Sequence, residues 1–208
     1  MSSKEKTILA AIEIFSQKGK HGARMEEIAK EAGVNKSMVY YYHSSKENLY
    51  REVLKKIFYK IFLYSFSELE RIQSEEMIYT ERIEVIIRVF SKIYSENPNY
   101  TRIIINALAN EPEDVKYIIR FLKAENDFIR PEKLLDLIEQ ATSSKALRKI
   151  DAKQTMISII GVSMIYFIGK PIMEIMLGLD LEDEDVFLKE RQDSLVDLVL
   201  NGIVNRPE

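Results

Sequence analysis

Apolar residues recur along this chain at helical spacing from near its start. Ile8, Ala11, Ile12 and Phe15 stand at i, i+3, i+4 and i+7, which puts them on one face of a first helix. Ser2 and Glu5 make a capping-box pair at its start, and Gly19 is a natural stop. Met25, Ile28, Ala29 and Ala32 repeat the spacing in a second helix that ends at Gly33. Asn35 can cap a third over about residues 36–43. Ser44 and Glu47 form another capping-box pair, opening a long fourth helix with Leu49, Tyr50, Val53, Leu54, Ile57, Phe58 and Ile61 in its apolar rows.

Further on, the pattern predicts a fifth helix over about 76–96. Asn97-Pro98 and Glu111-Pro112 then open a sixth and a seventh, Pro falling where the first turn has no use for an N–H. Arg130-Pro131 divides or kinks the seventh. A loop is expected over 142–150, then a helix capped by Asp151 to about 168, and a short one between Pro171 and Gly178. The acidic run 182–185 suits the positive start of a last helix to about 201. No strand alternation and no repeat interrupts this. The expected class is all-α, with nine or ten helices.

Composition narrows the chemistry. The chain has 208 residues, 46% of them hydrophobic and 30% charged, as in a folded globular protein. It has no Cys and two His, His21 and His43, too far apart in sequence to suggest a metal site. The usual nucleophile–base pairs are poorly supplied, and there is no Gly-rich phosphate loop, so an enzyme is not expected. No cofactor is expected either. The N-terminus lacks the apolar core of a signal peptide. The longest uncharged stretch, 154–169, is short of the roughly 20 residues that a membrane span needs. It reads as a core or interface helix of a soluble, cytoplasmic protein.

Net charge is −3, but it is unevenly spread. Residues 1–56 hold eleven Lys and Arg against seven acids, the remainder nineteen against twenty-six. A basic head on an acidic body suits a protein that offers one end to phosphate. Three short helices with Gly33 in the second turn form a helix-turn-helix pattern. On the third helix Val39 and His43 point inward, while Lys36, Ser37, Tyr40 and Tyr41 form two i, i+4 rows on another face. A cation, a hydroxyl and two phenols there can reach base edges or phosphates in a major groove. Three successive Tyr, 40–42, point in three directions, so one of them, Tyr42, is expected to be partly buried.

Several separate submotifs now resemble one family. Ile8-Leu9-Ala10-Ala11, Phe15, Gly19, Glu27-Ile28-Ala29-Lys30-Glu31-Ala32-Gly33-Val34, Val39-Tyr40-Tyr41-Tyr42 and Lys46-Glu47-Asn48-Leu49-Tyr50 are similar, in order and spacing, to the N-terminal signature of TetR-family regulators. The resemblance implies a helix-turn-helix DNA-binding domain over 1–46 and a larger ligand-binding and dimerisation domain over 47–208. It implies a homodimer held mainly by the last two long helices, gripping a palindromic double-stranded operator, with a small ligand releasing the DNA. By position, Lys36, Ser37 and Tyr40 would face bases, and Tyr41, Tyr42 and Lys46 would contact the backbone.

Two positions depart from the family pattern. Arg24 stands where Thr usually caps the second helix; Arg cannot cap in that way but can reach a phosphate. His43 stands where a buried Phe is usual. Aromatics and Met spread over the body could line a cavity for an apolar ligand, and Tyr100, Tyr117, Phe121, Met164 and Phe167 are the expected lining. The rival reading is a helical adaptor that has lost DNA binding; the basic, Tyr-lined third helix argues against it.

Overall fold

The computed structural model describes residues 1–74, 76–126, 130, 132–179 and 183–205. Among them are ten α-helices: α1 Ser3–Gly22, α2 Met25–Glu31, α3 Lys36–His43, α4 Lys46–Ser74, α5 Tyr79–Glu96, α6 Pro98–Asn110, α7 Pro112–Glu125, α8 Glu132–Ser143, α9 Ala152–Leu177 and α10 Glu184–Ile203. The only strand-like pairing among the described residues is an isolated bridge between Leu147 and Val204. The chain divides into two compact units. The first comprises residues 1–62 and 97–127, the second 63–96 and 128–208.

In the first unit α1 to α3 and the start of α4 enclose Ala11, Phe15, Ile28, Val39, Leu49, Val53 and Leu54, all at most 1% exposed. Phe15 meets Tyr50 edge-on, ring centroids 5.0 Å apart. Helices α6 and α7 belong to this unit, α6 packing along α1, and they bury Ile103, Ala107, Ile118 and Leu122. Periodicity marks which face of each helix is buried but not which partner covers it, so this grouping had no sequence signal.

A polar network ties the same helices. Asp114, at the start of α7, accepts from Lys20 Nζ at 2.7 Å and from Arg51 Nε at 2.7 Å. Burial alone would raise the Asp114 pKa, but the two cations outweigh it and hold the carboxyl below the ordinary aspartate value. Glu111 accepts from Tyr50 Oη at 3.5 Å and lies 3.4 Å from His21 Nε2.

In the second unit α5 packs against α9 and α10, and α8 against α9. Ile83, Ile87, Ile138, Ala141, Ile159 and Tyr166 form its interior. Tyr166 and Lys170 both donate to Glu184, at 3.2 and 2.6 Å. Burial, followed by the charge of Glu184, pushes the Tyr166 phenol up to about 12.

Three sequence expectations are corrected. Gly19 does not end α1 but breaks it internally, at φ 65° and ψ 178°, after which one more turn forms. Ser45, not Ser44, caps α4: its Oγ accepts from Asn48 N at 3.1 Å, while Ser44 sits at φ 62°. The stretch after 151 is one helix of 26 residues, with Pro171 inside it. Lys170, just before that proline, pairs with Glu184 at 2.6 Å and with Glu174 at 3.9 Å. At this length α9 is long and apolar enough to cross a membrane, though only 22% of its most apolar 18-residue window is buried.

Candidate nucleic-acid interface

The reading helix is positioned from both ends. Gly33 sits at φ 65° in the turn after α2, its N–H donating to the Lys30 carbonyl, and Val34 N closes on the Ala29 carbonyl. A Cβ at Gly33 would meet no atom within 4 Å, so only the backbone angle demands glycine. Gly33→Ala is therefore expected to lower stability by about 1 kcal/mol in urea unfolding, and Gly33→Asn by less. No loss with Ala would mean that the turn relaxes to a negative φ. Asn35 then caps α3, its Oδ1 accepting from Met38 N at 3.1 Å and from Ser37 Oγ at 2.7 Å.

Val39 and His43 anchor α3 inward, at 0% and 2% exposure. Lys36 and Ser37 are exposed, Tyr40 is 42% and Tyr41 83% exposed, and Tyr42 is half-buried. Lys36 pairs with Glu26, and its ammonium lies 5.8 Å from the Tyr40 ring centroid. That pair links α2 to α3 across the turn and lowers the Glu26 pKa. Tyr41 and Tyr42 meet edge-on at 5.4 Å.

Arg24 occupies the N-cap of α2, where the Glu27 carboxylate accepts its backbone N–H at 3.3 Å. The helix start is thus held from the third helical position rather than by the cap side chain. Lys46 opens α4 and donates to the carbonyls of His21 and Ala23, each at 3.2 Å. It ties α4 to the end of α1, an internal role that sequence spacing did not reveal.

The five residues expected to line a ligand cavity are divided between the units. Tyr100, Tyr117 and Phe121 lie in the first. There Lys60 Nζ lies 5.2 Å from the Tyr100 centroid, Arg51 Cζ 5.2 Å from that of Tyr117, and Lys55 Nζ 3.9 Å from that of Phe121. Met164 and Phe167 lie in the second unit, Phe167 6.1 Å from the Tyr94 ring. Sequence reasoning missed Asp114, Glu111 and the groove beside His43. Glu111 and Asp114 both stand at the start of α7, where an acid is favoured by the helix dipole alone, so neither carries a sequence signal for a distant partner.

Comparison with known proteins places this geometry. Residues 8–53 match the profile of bacterial regulatory proteins of the tetR family, and residues 80–199 that of a tetracyclin repressor-like C-terminal domain. The chain is 32% identical over 205 residues to the HTH-type transcriptional regulator RutR of Escherichia coli, covering 98% of this chain and 92% of that protein. Over 56 residues it is 39% identical to the HTH-type transcriptional repressor NicS of Pseudomonas putida, covering 27% of this chain and 26% of that one. The crystal structure of the transcriptional regulator FadR from Bacillus subtilis in complex with stearoyl-CoA superposes with a TM-score of 0.67 at 18% identity, over 95% of this chain and 98% of that one. With both halves matched and a relative aligned along nearly its full length, the chain belongs to the TetR family of bacterial regulatory proteins.

Proposed function

We propose that this regulator acts as a repressor: a cytoplasmic homodimer that reads a palindromic operator with two copies of α3 and lets go when a small apolar ligand binds its C-terminal helices. One observation carries the DNA reading. The eight residues of α3 bury Val39 and His43 and turn Lys36, Ser37, Tyr40 and Tyr41 outward, so the helix presents polar reach rather than packing surface. Residues 1–46 form the DNA-binding part and 47–208 the ligand-binding and dimerising part. Lys36, Ser37 and Tyr40 face bases, while Arg24, Tyr41 and Tyr42 face the phosphate backbone, which Lys46 reaches with the one N–H not given to the His21 and Ala23 carbonyls. The protein works by binding rather than by catalysis.

Dimerisation is carried by α9. Ile157, Gly161, Ile165, Ile168, Ile172, Ile175 and Met176 fall within about 100° of arc at 100° per residue, and all are exposed. Met156, Ile159, Ser163 and Tyr166 occupy the opposite, buried face. An apolar stripe of this length needs a cover. The supporting match is a second copy, since Gly161 has open space where a Cβ would be and admits a close helix.

Selection of bound fragments from a random DNA library by the purified protein tests the reading; an enriched inverted repeat is expected. Variants then sort the contacts. Tyr40→Ala or Lys36→Ala is expected to change sequence preference and weaken operator binding by about 1–3 kcal/mol. Lys46→Ala should weaken all sequences alike and reduce the salt slope by about one. Identical behaviour in both classes would overturn the sorting. No enrichment by a folded dimer would instead favour an adaptor.

A further inference from the structure

A second feature of the first unit shares only Tyr42 with the DNA reading. Between the last turn of α3, the first turns of α4 and the middle of α7 lies a groove of about 310 Å³. That is at the small end of the range for ligand sites. Two i, i+4 pairs line it, Arg51 and Lys55 on α4 and Tyr117 and Phe121 on α7, with the cations stacked on the rings. Arg51 spends only its Nε on Asp114. Lys55 has no carboxylate partner among the described residues.

His43 and Glu52 complete the wall. The His43 side chain is 0% exposed, and its Nδ1 lies 3.1 Å from Glu52 Oε1. That contact is off the line of a hydrogen bond, and Nε2 has no hydrogen-bond partner among the described residues. A buried ring nitrogen without a partner carries an uncompensated desolvation penalty. Where the family commonly packs a Phe, this chain thus keeps an unsatisfied polar group beside a lined groove.

The lining charges fix the class of ligand. Asp114 already answers Arg51 and Lys4 pairs with Glu52 at 3.3 Å, which leaves Lys55 as the lining cation without an ion partner among the described residues and matches a monoanion better than a dianion. The aromatic pair asks for a flat apolar body. We propose that this groove is a small-molecule site for an aromatic monocarboxylate, its ring against the edges of Tyr117 and Phe121 and its carboxylate met by Arg51 and Lys55. The site rests on the proposed effector response, since it takes Tyr117 and Phe121 from the expected ligand lining, and it sets the chemistry of that ligand in a groove wholly within the first unit, beside the reading helix.

The experiment needs no DNA, so its failure would leave the operator reading standing. Sodium benzoate is titrated to about 10 mM into ¹⁵N-labelled full-length protein at matched ionic strength, and amide shifts are followed by NMR. Saturable shifts are expected around residues 42–55 and 117–121, with a dissociation constant in the millimolar range for so small a probe. Lys55→Gln should weaken binding about tenfold. Benzamide, with the same ring and no charge, should bind about tenfold more weakly too. Lys55 is exposed, so its replacement leaves the packing undisturbed. The proposal fails if no saturable shift occurs, if the shifts map to the second unit, if Lys55→Gln binds benzoate unchanged, or if inorganic phosphate binds as tightly at the same residues.

Discussion

Ile165→Glu combined with Ile172→Glu is expected to convert the dimer into a folded monomer and to reduce operator affinity at least about a thousandfold. The two positions are seven apart on α9, 48% and 63% exposed, and lie in the middle of its outer stripe. In a lone protomer both carboxylates stay in water, so the fold should be kept. In a dimer four of them would be driven into an apolar contact, each at a penalty of several kcal/mol. Losing one half-site removes the added gain from two linked readers, which is commonly about a hundred- to ten-thousandfold. Sedimentation of the variant should give the mass of one chain, 24.3 kDa, with unchanged helical circular dichroism. A variant that stays dimeric would place the interface elsewhere; one that is monomeric yet binds the operator at full strength would remove the need for a dimer.

Asp114→Asn should have the second largest effect, on stability. The carboxylate side chain is 8% exposed and answers two cations, Lys20 at 14% and Arg51 at 46% exposure. Neutralising it strands a nearly buried ammonium, for which full burial would bring about 3–5 kcal/mol. Arg51 is half in water and can re-solvate, so about 2–3 kcal/mol is the expected loss at pH 7. The sign with pH follows from the depressed pKa of Asp114. Its contribution is fully present above the unfolded aspartate value, about 3.9, and disappears as the pH falls through the lower folded value. Urea unfolding should thus show a gap between the two proteins that is constant from pH 8 to 5 and narrows below about pH 4. A gap that persists unchanged at lower pH would mean that Asp114 acts through packing rather than charge.

The reading of the sequence went furthest where the chemistry is local. The inward turn of Val39, the Asn35 cap and the demand for glycine at 33 all follow from neighbours within four residues, and each is found in the structure. Pro98 and Pro112 likewise mark helix starts. Long-range pairing was the obstacle. Nothing within four residues of Lys46 shows that its ammonium serves carbonyls at 21 and 23, and nothing near Asp114 reveals Lys20. Breakers misled for the opposite reason: Gly19 and Pro171 carry strong local signals, yet α1 resumes for a turn after Gly19 and α9 runs through Pro171, which lies in an exposed stretch. The division around Arg130-Pro131 is met by separate helices ending at 125 and starting at 132, although Pro131 itself lies outside the described residues.

The outer stripe of α9 also bears on how much of this protein a cell must make. A face carrying Ile172, Ile175 and Met176 at 63%, 84% and 77% exposure has no solvent-ready form until a second chain covers it. If operator binding needs the pair, occupancy at low abundance scales with the square of the chain's concentration. Halving expression would then quarter the bound fraction, making synthesis of the regulator an input to the circuit alongside any effector.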